Sequence, residues 1–129
     1  MAKKTPRAKA KKTPRKLLMD KLDKLSKKLV YERDNWTCQH CGKHSKTDYQ
    51  ASHVIPVSAG NKLRWDVQNM KVMCYHCHLN WWHKNPMEAS AWFQEKFPDR
   101  WAYLQEQRGM YKFTLTELED MVTKYEGML

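Results

Sequence analysis

The sequence predicts an α+β fold: two short strands and a helix gathered around a metal site, embedded in further helices. Three features carry that expectation. Four cysteines fall into two C-x2-C pairs, a short run ending in a proline lies between the pairs, and leucines recur at helical steps outside them.

Cys38 and Cys41 make one pair, Cys74 and Cys77 the other. Two intervening residues let both thiolates of a pair face one tetrahedral ion, and the second pair completes a four-thiolate set. In a secreted chain four cysteines could close two disulfides, but the first residues lack the apolar run of an export signal. The expectation is a structural Zn²⁺ ion. A chain of 129 residues buries only about two-thirds of its unfolded surface, so such an ion would add stability. The 32 residues between the pairs exceed the gap of a minimal zinc ribbon, so elements must fold inside it.

Charge divides the chain. Lys and Arg number 24 against 14 Asp and Glu, a formal charge of +10. Eight of those cations lie in residues 1–16, which hold no acid. The sequence Lys-Lys-Thr-Pro-Arg stands there twice, at 3–7 and 11–15. Residues 1–16 are expected to form a disordered basic arm whose Lys3, Lys4, Arg7, Lys11, Lys12 and Arg15 contact a polyanion, nucleic acid first. A solubilising tail is the plainer alternative. No run of about 18 apolar residues exists, so a soluble, cytoplasmic protein is expected.

Residues 17–129 are expected to form the folded domain. Within 17–33, Leu18, Leu22, Leu25 and Leu29 step as one helical stripe. It suits packing on its own domain, or on a second copy in a homodimer. The helix should end near Arg33-Asp34-Asn35. Residues 34–85 would hold the metal core: Gly42 turns the first knuckle, 49–57 reads as a strand ending at Pro56, and 67–73 as a second, short strand. A helix starting around 74–78 would carry Leu79, Trp81 and Trp82. Residues 86–129 read as helices, opened by Asn85-Pro86, by Asp99, and by Thr114 or Thr116.

The chemistry-bearing residues lie between and beside the knuckles: His53 before Val54-Ile55-Pro56, Asn69 five residues before Cys74, and His78 directly after Cys77. With Cys38-Gln-His-Cys41 and Cys74-Tyr-His-Cys77, these pieces resemble the HNH endonucleases over about residues 33–85. A narrower likeness runs through Arg33-Asp34, Leu63-Arg64-Trp65-Asp66 and the Thr114-Leu-Thr-Glu-Leu segment. It resembles the phage lambda NinG/Rap recombination nucleases, with the junction-resolving phage endonuclease VII more distant.

The resemblance implies a ββα-metal core and cleavage of branched DNA, such as Holliday junctions or D-loops, in phage recombination. Spacing alone implies no more than a metal-dependent nuclease. Hydrolysis of a phosphodiester needs a deprotonated water, a cation on the phosphate and a stabilised leaving oxygen. His53 is the candidate base, because an unperturbed imidazole titrates near working pH. Asn69 would orient it through its side-chain carbonyl. His78, with His83 and Ser52, would hold the catalytic Mg²⁺ or Mn²⁺, nitrogen ligands tilting the choice toward softer ions. Ser52 stands where HNH enzymes usually carry a metal-binding acid. Arg64 and Lys71 are candidate phosphate contacts, and Trp65 or Trp82 could stack on an unpaired base. His40, His44 and His76 are expected to be exposed beside the knuckles. Two other readings stay open: a non-catalytic zinc-stabilised DNA-binding module, and a sequence-specific homing or restriction-type HNH nuclease.

Overall fold

In the computed structural model, which describes residues 11–129, helix α1 spans Pro14–Arg33. It starts earlier than the leucine stripe suggests. Thr13 is its N-cap, accepting from the Lys16 backbone N–H, and Pro14 takes the first helical turn, where its missing N–H costs nothing. The part of the arm from Pro14 onward is therefore helix. Residues 1–10, with Lys3, Lys4 and Arg7, lie outside the described residues.

Strand β1 (Gln50–His53) pairs antiparallel with β2 (Met70–Met73), in the register Gln50 to Met73 and His53 to Met70. Both strands are shorter than the runs that predicted them. Pro56 has no N–H to donate, and Val57–Ala59 turns as a 3-10 helix instead. After β2 comes a π-helical segment, His76–Trp82, where an α-helix was expected. Helices α2 (Pro86–Lys96), α3 (Pro98–Gln107) and α4 (Leu115–Gly127) complete the chain. Asn85 precedes α2 without capping it through its side chain, and Phe97 rather than Asp99 is the N-cap of α3. Thr114 and Glu117 close a reciprocal capping box on α4.

Three apolar clusters position the site. Leu22 with Leu18, Leu25 and Leu29 packs on Leu118, Val122 and Tyr125, so α4 of the same chain covers the stripe. That face is not left open for a second copy. Val30 packs on Ala51, Met70 and Val72, which lays α1 across the sheet. The third cluster joins the knuckles to Phe93 and Leu104 of α2 and α3. Two glycines are needed by the backbone: Gly42 at φ 78° in the first knuckle, and Gly60, where a Cβ would stand 2.5 Å from the Gly109 carbonyl oxygen. None of the helices described is long and apolar enough to cross a membrane.

The Arg33-Asp34 pair fixes where α1 meets the sheet. Arg33 donates to the carbonyls of Val67 and Met70, and the Asp34 carboxylate accepts from the Val72 N–H. Leu22 is fully buried between α1 and α4, so Leu22→Ala should cost about 2–5 kcal/mol in denaturant unfolding. A loss under about 1 kcal/mol would mean that α1 does not pack on α4.

Candidate functional site

The four cysteine sulfurs lie within 4.8 Å of one another and could hold one metal ion. Each knuckle is shaped for thiolates: the Cys41 N–H points at Cys38 Sγ at 3.5 Å and the Cys77 N–H at Cys74 Sγ at 3.4 Å. Burial pushes the Cys38 thiol up, but the backbone N–H groups of Cys41, Cys74 and His40 outweigh it and bring it down to about 7. Cys41 Sγ and Cys74 Sγ are 3.7 Å apart, close to the edge of about 3.8 Å of a tetrahedron with Zn–S near 2.3 Å. His40 adds a contact that the sequence did not reveal, its Nδ1 lying 3.2 Å from Cys77 Sγ while its ring stacks on Trp81. His40, His44 and His76 are all exposed, as expected.

Beside this centre opens a cleft of about 700 Å³, lined among others by His53, His78, His83, Trp82, Lys27 and Tyr31. His53 ends β1, and its Nε2 lies 2.9 Å from the Arg64 carbonyl oxygen. A carbonyl can only accept, so Nε2 carries the proton and Nδ1 keeps its lone pair in the neutral ring. Burial, the largest influence, holds the imidazole below its ordinary pKa against the raising effect of that hydrogen bond, so it is neutral at pH 7.

Asn69 is expected to orient His53, but its side chain makes no hydrogen bond to it. Its side chain accepts from the Ile55 N–H and donates to the carbonyls of Ile55 and Leu63. It is buried, and it staples the loop after β1 to the segment before β2. The orienting group for His53 is the Arg64 carbonyl, held in place by Asp23 on α1. The Asp23 carboxylate takes two hydrogen bonds from the Arg64 guanidinium, at 3.1 and 2.8 Å, and one from Trp65 Nε1 at 2.8 Å. Asp23 was not singled out by the sequence, because its partners lie 41 and 42 residues away.

His78 and His83 are five residues apart, which on an α-helix would place them on different faces. The π-helical segment changes that: the His83 N–H bonds to the His78 carbonyl at 3.1 Å, stacking residue i over i+5. Their Nε2 atoms come within 2.9 Å of each other. His78 Nδ1 is buried without a partner. Burial, then His83, then Lys71 lower the His78 pKa to about 4, so the ring stays neutral and able to act as a ligand.

Three expected ligands and phosphate contacts are otherwise engaged. Ser52 is buried; its hydroxyl donates to the Lys71 carbonyl at 3.3 Å and lies 3.4 Å from Lys71 Nζ. Lys71 is fully buried, its ammonium 3.4 Å over the Trp82 ring, so it is not a surface cation. Burial drives its pKa well below that of ordinary lysine, with the Arg100 charge adding to the effect. Arg64 is ion-paired with Asp23 through its Nε and Nη2. Strand alternation could not reveal this, since Lys71 sits in a strand buried on both faces. Trp65 and Trp82 are buried in the clusters rather than open to a base. Within the expected arm, Lys12 pairs with Asp20 and Arg15 donates to the Phe113 carbonyl, while Lys11 is exposed.

Among the described residues, the cysteines are the one group of three or more metal-ligating side chains gathered this closely. The histidine pair offers two nitrogen donors.

A family model described as Bacteriophage Lambda NinG protein matches residues 1–129. Neither a curated protein nor a solved structure matches the chain.

The thiol centre should bind one equivalent of zinc. Structural zinc contributes about 10–16 kcal/mol in zinc-finger peptides, on the scale of a whole domain's stability of about 5–15 kcal/mol. Chelation should therefore abolish the near-ultraviolet circular dichroism of the clustered tryptophans, and Cys38→Ser should lower zinc content. An unchanged spectrum in the metal-free protein would show that the knuckles hold themselves together.

Proposed function

The chain belongs to the bacteriophage lambda NinG family, and we propose that it is a metal-dependent endonuclease cleaving branched DNA in phage recombination. The observation that carries this reading is the pairing of His53 with the histidine pair in one cleft. His53 has one nitrogen tied to a backbone carbonyl and the other free to take a proton. His78 and His83 line the same cleft with their Nε2 atoms 2.9 Å apart. The buried, unpartnered His78 Nδ1 costs stability, and it is not needed to fold a binding module.

The residues fit a catalytic cation. Cis nitrogen ligands at about 2.1 Å from one ion stand roughly 3 Å apart, close to the separation of the two Nε2 atoms. His78 and His83 would hold the ion, with nitrogen donors favouring Mn²⁺ or another soft divalent ion over Mg²⁺. Such an ion would supply Lewis-acid stabilisation of charge on the scissile phosphate. His53 Nδ1 takes the proton from the attacking water, while the Arg64 carbonyl, accepting from Nε2–H, stabilises the imidazolium that forms. Asp23 and Asn69 hold the loop that carries that carbonyl. Loaded with zinc, the thiol centre would anchor both the end of β2 and the start of the π-helical segment. The ββα-metal description of HNH enzymes suits this order of elements, with a π-helical segment in the helix position.

One observation favours the rival reading, a zinc-stabilised DNA-binding module without catalysis. The Ser52 hydroxyl, at the position of the usual acid, is occupied by Lys71.

Cleavage of a labelled four-way junction and its matched linear duplex, with Mg²⁺ or Mn²⁺, decides between them. Wild type should cut the junction, and His53→Ala should lose at least about a hundredfold while keeping zinc and DNA binding. Binding without cutting under either metal would establish the module instead. The pH profile gives a second check. A base whose pKa is lowered is active above that value, so the acid limb should have its midpoint below 6.5 and level off at higher pH. A midpoint above 7 would remove His53 from the role of base.

A further inference from the structure

To meet a nucleic-acid backbone the cleft needs an unpaired, exposed cation, and neither Arg64, paired with Asp23, nor the buried Lys71 is one. One helix supplies it. On α1, Lys24, Lys27 and Lys28 are spaced i, i+3 and i+4, so they share one face over about 6 Å of helix rise. All three are exposed, and among the described residues none of them makes an ion pair. Lys27 also lines the cleft that holds His53.

The neighbouring charges on α1 are arranged differently. Lys16 and Lys12 share Asp20 at 2.8 and 2.7 Å, and Lys21 pairs with Glu126 at 3.1 Å. Asp23 is consumed by Arg64 and Trp65. The cations of the first half thus each have a partner within the chain, while the turn that reaches the cleft carries three that make no ion pair. Like charges three and four residues apart repel, and among the described residues no ion pair to these three lysines offsets that repulsion.

We propose that Lys24, Lys27 and Lys28 form a docking ridge for the sugar–phosphate backbone of a DNA arm, leading the strand into the cleft beside His53. Lys27 meets a phosphate next to the scissile one, and Lys24 and Lys28 hold phosphates further along the arm. Contacts of this kind carry no base information, so the ridge fixes position and register and not sequence. The direction of the strand rests on the nuclease reading, whereas the ridge itself is a binding surface whether or not the cleft cuts.

The test is made with the full chain carrying His53→Ala, so that bound DNA stays intact. Binding to a labelled four-way junction and to a linear duplex is measured from about 50 to 200 mM salt. It is compared with the same chain also carrying Lys24→Gln, Lys27→Gln and Lys28→Gln. Each lost phosphate contact removes about 0.9 from the slope of log K against log salt, so the slope should fall by about 2 to 3. Affinity at low salt should fall at least about tenfold, equally for different sequences. Arginine at all three positions should restore the slope, which separates lost charge from lost folding, and zinc content is followed in every variant. An unchanged slope overturns the ridge, as does an equal fall with Lys112→Gln and Lys124→Gln, which lie away from the cleft. Cutting is read separately with His53 present. A wild type that never cuts, with the slope still falling, overturns the nuclease and leaves the ridge standing.

Discussion

The convergence of four thiols from two knuckles is the constraint on which the rest of the molecule depends. The sheet has two strands of four residues, too little to stand alone in water. Its register is set from outside. Cys74 follows β2 directly, the Gln39 N–H of the first knuckle bonds to the Val72 carbonyl, and the π-helical segment starts within the second knuckle. An ion drawing the four sulfurs together therefore fixes the end of β2 and the start of the segment that carries His78 and His83. The helices act on the same frame, α1 across the sheet and α2 and α3 behind the knuckles.

The second layer of organisation is polar, buried at Asn69 and half-buried at Asp23. Asn69 satisfies both backbone groups of Ile55, and Asp23 collects Arg64 and Trp65. Left unpaired, a buried group such as the Asn69 amide would cost about 1–3 kcal/mol, and together these bonds hold a 16-residue connection without regular sheet structure. The consequence at the site is a single atom, the Arg64 carbonyl oxygen, placed so that His53 must protonate on Nε2. An imidazole fixed in this way arrives at a substrate with its basic nitrogen already chosen.

Much of this was legible from spacing. C-x2-C pairs, the proline after His53 and Thr114 ahead of the last helix each act over a few residues, and each recurs in the structure as a knuckle, a strand end or a cap. What escaped the sequence acts over long separations or against local expectation. Arg64 looks like a free cation until Asp23 is placed beside it, and Lys71 looks exposed until Trp82 closes over it. The π-helical segment is invisible to a periodicity of 3.6, yet it is what turns His78 and His83 from separate faces into one pair. The likeness at Arg33-Asp34 and at Arg64-Trp65 was read as a signature of function. In the structure those residues brace the sheet and the loop of the site.

The most direct measurement is the long-range proton–nitrogen spectrum of the histidine side chains in the zinc-loaded protein, followed through a pH titration. His53 should show the Nε2–H tautomer at neutral pH and take up its proton below pH 6.5. An Nδ1–H tautomer, or protonation above pH 7, would mean that the cleft does not present a base, and the account of the site would fall with it.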